Sequence, residues 1–104
     1  MSERTAVVMA MSSRVTIRPD VLARSIGEET VILDLASGTY FGLDSVGARI
    51  WSLINNGKAE GRPLDEVRDA MLAEFDISRD ELERDLIRLA ESLCAQKLID
   101  VVDG

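Results

Sequence analysis

Near the middle of the chain, apolar residues twice recur at every second position. Val31, Leu33 and Leu35 do so first, then Phe41 and Leu43, with a Gly-containing stretch between them. Period-two alternation around such a break predicts two strands joined by a tight turn. A three-residue loop, Ala36-Ser37-Gly38, with Gly38 left-handed would pair Leu35 with Thr39, Leu33 with Phe41 and Val31 with Leu43. Apolar side chains then meet across the hairpin, whereas an even-numbered loop sets Asp34 opposite Phe41. The odd loop is therefore expected. It puts Val31, Leu33, Leu35, Phe41 and Leu43 on one face, and Ile32, Asp34, Tyr40 and Gly42 on the other.

Upstream, Val15-Thr16-Ile17-Arg18 alternates and stops at Pro19, which predicts a first strand. Val21 to Ile26 reads either as a loop or as a single helical turn. The first strand and the hairpin together predict an antiparallel meander of three strands. Asp44 then stands where an N-cap is wanted for a helix beginning at Ser45. Val46, Ile50, Leu53 and Ile54 share one face of it, with Trp51 on the shoulder, and Asn55-Asn56-Gly57 ends it. Pro63 opens a second helix, with Asp65 and Glu66 near its positive end and Val67, Ala70, Met71 and Phe75 as its apolar stripe.

The third helix has the clearest start. Ser78 and Glu81 form a capping box, and Ile77 and Leu82 occupy the staple positions. Leu82, Leu86, Leu89 and Leu93 make the core stripe, and Ile87, Ala90 and Cys94 lie beside it on one side. The apolar arc is about 160° wide, more than contact with two small helices needs. The helix is expected to end near Gln96–Lys97, with Leu98 to Val102 returning as a short extended tail. The fold class predicted is α+β, a three-stranded antiparallel sheet followed by three helices. Residues 14–102 form the domain and residues 1–13 a flexible N-terminus.

Length and composition narrow the chemistry. At 104 residues the chain makes one domain, and aromatics at 4% imply an aliphatic core. A net charge of −7 argues against binding a nucleic-acid backbone. Cys94 is the single cysteine, so neither an intrachain disulfide nor a thiolate metal cluster can form. With no histidine, the commonest general base and every Ser-His or Cys-His arrangement are missing. No apolar run reaches the roughly 20 residues of a membrane span, and Met1–Ser13 lacks a secretory signal pattern, so the cytoplasm is the expected compartment. Asp80, Glu81, Glu83, Asp85 and Glu91 scatter around the third helix as a solvated surface would. Cys94 reads as a packing residue and Trp51 as core. No catalytic, cofactor or metal residues are expected. What remains is geometry: Thr39–Leu43 comes last in the meander, so its outer edge is open to another strand unless a terminus covers it.

The segments Val31-Ile32-Leu33-Asp34-Leu35 and Val46-Gly47-Ala48-Arg49-Ile50-Trp51, with the helical stretch from Leu89 to Ile99, resemble the PqqD-like family of small peptide-binding domains. The run from Gly42 to Trp51 is most similar to the free-standing B1 proteins of lasso-peptide biosynthesis. The resemblance implies a winged-helix-like precursor-peptide recognition element. It would bind a ribosomally made precursor's leader as an extra strand on Thr39, Tyr40, Phe41, Gly42 and Leu43. The third helix would line the groove with Glu83, Ile87, Ala90 and Cys94, and Arg84 and Arg88 would meet leader carboxylates. Implied partners are the leader, a transglutaminase-like leader peptidase and an asparagine-synthetase-like cyclase; in the coenzyme-synthesis branch a radical SAM enzyme replaces these. No cofactor, nucleic acid or membrane is implied, and the chain is expected to be a monomer or a weak homodimer. A winged-helix DNA-binding regulator is the competing class, but acids outnumber Arg84 and Arg88 early in the third helix.

Overall fold

The computed structural model describes residues 9–55 and 61–102. In chain order they form β1 (Arg14–Ile17), β2 (Val21–Ile26), β3 (Glu29–Asp34), β4 (Tyr40–Leu43), α1 (Ser45–Asn55), β5 (Arg62–Pro63), α2 (Leu64–Glu74), α3 (Arg79–Ala95) and β6 (Ile99–Val102). The class is α+β with three helices, as expected. The sheet is not single, however: among the described residues there are two, ordered β2-β3-β4 and β5-β1-β6.

The meander forms, but its first strand is β2 rather than β1. All six residues from Val21 to Ile26 pair with β3, from Val21↔Asp34 to Ile26↔Glu29. The segment gave no clear strand signal because neither of its faces is buried: every residue after Val21 is exposed, Leu22 and Ile26 included. β1 instead pairs antiparallel with β6, Val15↔Val101 and Ile17↔Ile99, and with the two-residue β5. The returning tail is thus a full sheet partner. It buries Leu98 and Ile99.

The hairpin register also differs from expectation, by one residue. Ile32 pairs with Phe41, Leu33 with Tyr40 and Thr30 with Leu43. The loop is Leu35 to Gly38, four residues closed by Gly38 at φ 76°, with the Gly38 N–H donating to the Asp34 carbonyl at 2.8 Å. The deciding group is the Asp34 carboxylate. It accepts from the Ala36 N–H at 3.1 Å and the Ser37 hydroxyl at 2.9 Å, organising the turn from inside. Apolar matching persists in Ile32·Phe41 and Leu33·Tyr40, and the observed register satisfies the carboxylate as well. The slip sends the β3 side chains to the opposite face while those of β4 keep theirs, so Phe41 and Leu43 now share a face with Ile32 and Asp34. Ile32 and Leu43 are buried, with Phe41 half-buried beside them, while Val31, Leu33, Leu35 and Tyr40 look outward.

The helices begin and end as their caps dictate. Asp44 accepts from the Gly47 N–H through Oδ1 at 2.9 Å, and its carbonyl accepts from Ala48 at 2.7 Å. A Cβ on Gly47 would lie 3.2 Å from Leu43 Cδ2, so glycine lets α1 turn sharply off β4. The expected stop after Asn55 falls on residues outside those described. At α2, Pro63 offers no capping side chain. The N-terminal segment substitutes: Leu64 and Asp65 donate to the carbonyls of Ser13 and Met11 at 3.0 and 2.9 Å. Residues 9–13, read from the sequence as part of a flexible N-terminus, are here docked on α2, and Met9 is 6% exposed. Ser78 caps α3, and Lys97 at φ 62° reverses the chain after it. Lys97 and Leu98 donate to the carbonyls of Cys94 and Leu93, a double bond pattern that turns α3 into β6.

The core is one cluster, aliphatic apart from Trp51, with Ile32, Leu64, Met71, Leu82, Leu86, Leu93 and Ile99 almost fully enclosed.

Candidate functional site

β4 lies at the border of its sheet. On its inner side it pairs with β3; on the outer side no strand pairs with it among the described residues. The Asp34 N–H donates to the Thr39 carbonyl at 2.9 Å, and antiparallel hydrogen bonding alternates from there. Ile32·Phe41 and Thr30·Leu43 are therefore the bonded pairs. The N–H and C=O of Tyr40 and Gly42 point away from β3 and are available to a guest backbone.

Beside that border runs an open groove of about 680 Å³ between β4 and α3. Phe41, Leu43, Val46, Ile50, Ile77 and Leu89 supply its apolar lining. Asp44, Asp76, Glu81, Asp85, Arg88 and Ser92 supply its polar lining. On α3 the contributing positions are 81, 85, 88, 89 and 92, a single flank at helical spacing.

This is not the flank assigned from the resemblance. Phe41, Gly42, Leu43 and Arg88 line the groove, Arg88 bordering the opposite flank as well. Thr39 is not among its lining, and Tyr40 lines a hollow on the outer face of the sheet with Leu22, Val31 and Leu33. Glu83, Arg84 and Ile87 line a smaller hollow on the opposite flank, together with Met11. Ala90 is core at 2% exposure, and Cys94 is half-buried against the core. The reason is the N-terminal segment: Met11 packs on the cluster that Ile87 and Cys94 border, so the surplus apolar width of α3 is partly used by the chain itself. Glu83 is also committed. It accepts from Arg68 at 2.7 Å and lies 3.4 Å from Arg79. The Arg68 hydrogen bond, followed by that from Arg79, holds its carboxyl below the usual range against the opposing effect of burial. The groove residues missed from sequence include Asp44, Val46, Ile50, Asp76 and Ile77, and on α3 Glu81, Asp85, Leu89 and Ser92. For the α3 members the signal was present in the 81-85-88-92 spacing, but charge made that flank look like plain solvated surface.

Arg88 has its nearest carboxylate in Asp85, at 3.9 Å. Asp76 and Glu81 make no ion pair among the described residues.

A family model described as coenzyme PQQ synthesis protein D (PqqD) matches residues 29–99. Two solved structures resemble nearly the whole chain. One is TbiB1 in complex with the TbiA(beta) leader peptide, with a TM-score of 0.73 and 39% identity, covering 86% of this chain and 99% of that one. The other is a lasso peptide synthetase B1 complexed with the leader peptide, with a TM-score of 0.70 and 24% identity over 84% of this chain and 98% of that one; it speaks for the fold alone. No curated protein matches the sequence.

Proposed function

The chain belongs to the PqqD family, and from that premise we propose that it is a non-catalytic binder of a precursor-peptide leader, acting in the maturation of a lasso peptide. Residues 14–102 are the recognition domain. The leader adds as a strand to β4, bonding to Tyr40 and Gly42, and its alternate side chains enter the groove against α3. The observation that carries this reading is the unpaired backbone of Tyr40 and Gly42 directly beside an apolar groove. The 39% identity to a leader-bound B1 protein supports the lasso-peptide branch over the coenzyme branch. In this reading the domain hands the precursor to a transglutaminase-like peptidase and an asparagine-synthetase-like cyclase.

Gly42 gives a clean test, because its N–H faces the open border and a Cβ there meets nothing within 4 Å. Proline is tolerated at such edge positions. Gly42→Pro is expected to keep the circular dichroism of the native chain and to weaken leader binding roughly tenfold or more, since a guest carbonyl loses its donor. Gly42→Ala is expected to bind normally. With leader bound, amide exchange should slow at Tyr40 and Gly42 more than at Phe41 and Leu43, which already donate to β3. Equal binding by the proline variant would remove strand addition from the account.

A further inference from the structure

We propose that the groove is selective for cationic leaders: it takes a strand whose groove-facing side chains include Lys or Arg, and it disfavours acidic ones. This rests on the leader-binding reading and specifies the occupant's chemistry. It also reverses the sign of the contact that Arg84 and Arg88 suggested from sequence.

The argument is a charge count with each group's present partners considered. Four carboxylates, Asp44, Asp76, Glu81 and Asp85, line the groove against one guanidinium, Arg88. Asp44 is occupied by the α1 amide it caps, and Asp85 is partly balanced by Arg88 at 3.9 Å. The start of α3 adds its fractional positive end, which offsets about half a charge. Asp76 and Glu81 remain, exposed and without ion pairs among the described residues. Arg84, which would have supplied the opposite sign, lines the hollow on the other flank.

Shape supports the same occupant. A strand on β4 directs alternate side chains over Val46, Ile50, Ile77 and Leu89 before they reach the acidic rim. Lys and Arg have the required composition: an apolar stem for the lining and a charged head that stays in water beside a carboxylate. A Glu or Asp side chain would instead be set against like charges in a partly desolvated slot. Such rim charges act mainly on selectivity and association rate, while backbone pairing supplies the affinity.

The test is a selection of displayed random twelve-residue peptides on the immobilised full chain, alongside the Asp76→Lys/Glu81→Lys double variant. Both substituted positions are exposed, and circular dichroism establishes that the variant is folded. The expected result is enrichment of Lys and Arg at alternate positions interleaved with apolar residues. The double variant should bind the selected peptides about tenfold more weakly, as two reversed charge contacts imply, and should enrich Asp and Glu instead. Affinity for the native chain should fall severalfold between low and high salt. Peptides enriched without cationic bias, or bound equally by both proteins, would overturn this inference and leave leader binding intact. No enrichment on either protein would overturn leader binding as well.

Discussion

Single side chains settle several choices that patterns leave open. Asp34 is the clearest: one buried carboxylate with two donors from its own turn favours the register that pairs Ile32, not Leu33, with Phe41. Arg68 works similarly between helices, linking α2 to Glu83 on α3. It carries a pH prediction. Glu83's carboxyl is depressed in the folded state, so its stabilising contribution is present above the unfolded pKa and is lost as pH falls through the depressed folded value. In Arg68→Gln the Glu83 carboxyl is expected to titrate nearer its ordinary range in a side-chain carbon NMR titration. The acid-side stability loss traced to this group should shrink accordingly. An unmoved Glu83 titration would mean that Arg68 is not its main partner.

At the scale of elements, the caps can be ranked by geometry. Asp44 bonds the Gly47 N–H at 2.9 Å, whereas Ser78 reaches the Glu81 N–H at only 3.5 Å. Asp44→Ala is expected to cost about 1 kcal/mol, and Ser78→Ala less, measured by urea unfolding of each variant. Both start signals were legible because caps act through bonds local in sequence. β2 was not legible. Its residues have weak alternation and become a strand because six backbone pairs with β3 are available to them. The groove-facing flank of α3 was hidden for a related reason: periodicity identifies a helix's apolar stripe, but both flanks of that stripe look usable until a neighbour covers one. Here Met11 lies along the flank of Ile87, and β4 borders the other.

For the whole molecule, the sheet built on β1 ties the two ends of the described chain together, β6 pairing with β1 along its length. A chain ended after Lys97 would lose the buried Leu98 and Ile99 and every β1–β6 pair. Loss of each such side chain costs about 2–5 kcal/mol, comparable to a small domain's whole stability of roughly 5–15 kcal/mol. That truncation is expected to abolish the cooperative thermal transition and the dispersed amide spectrum. Among the described residues, no helix is long and apolar enough to cross a membrane. The sequence by itself determined what depends on near neighbours: three helices, the side-chain caps of α1 and α3, the hairpin's existence, the apolar stripes and the family. Only tertiary structure decided the sheet partners, the hairpin register and the flank of α3 that faces β4. Those depend on which distant segment satisfies a given backbone or buried carboxylate, and pairing between distant segments leaves no period in the chain.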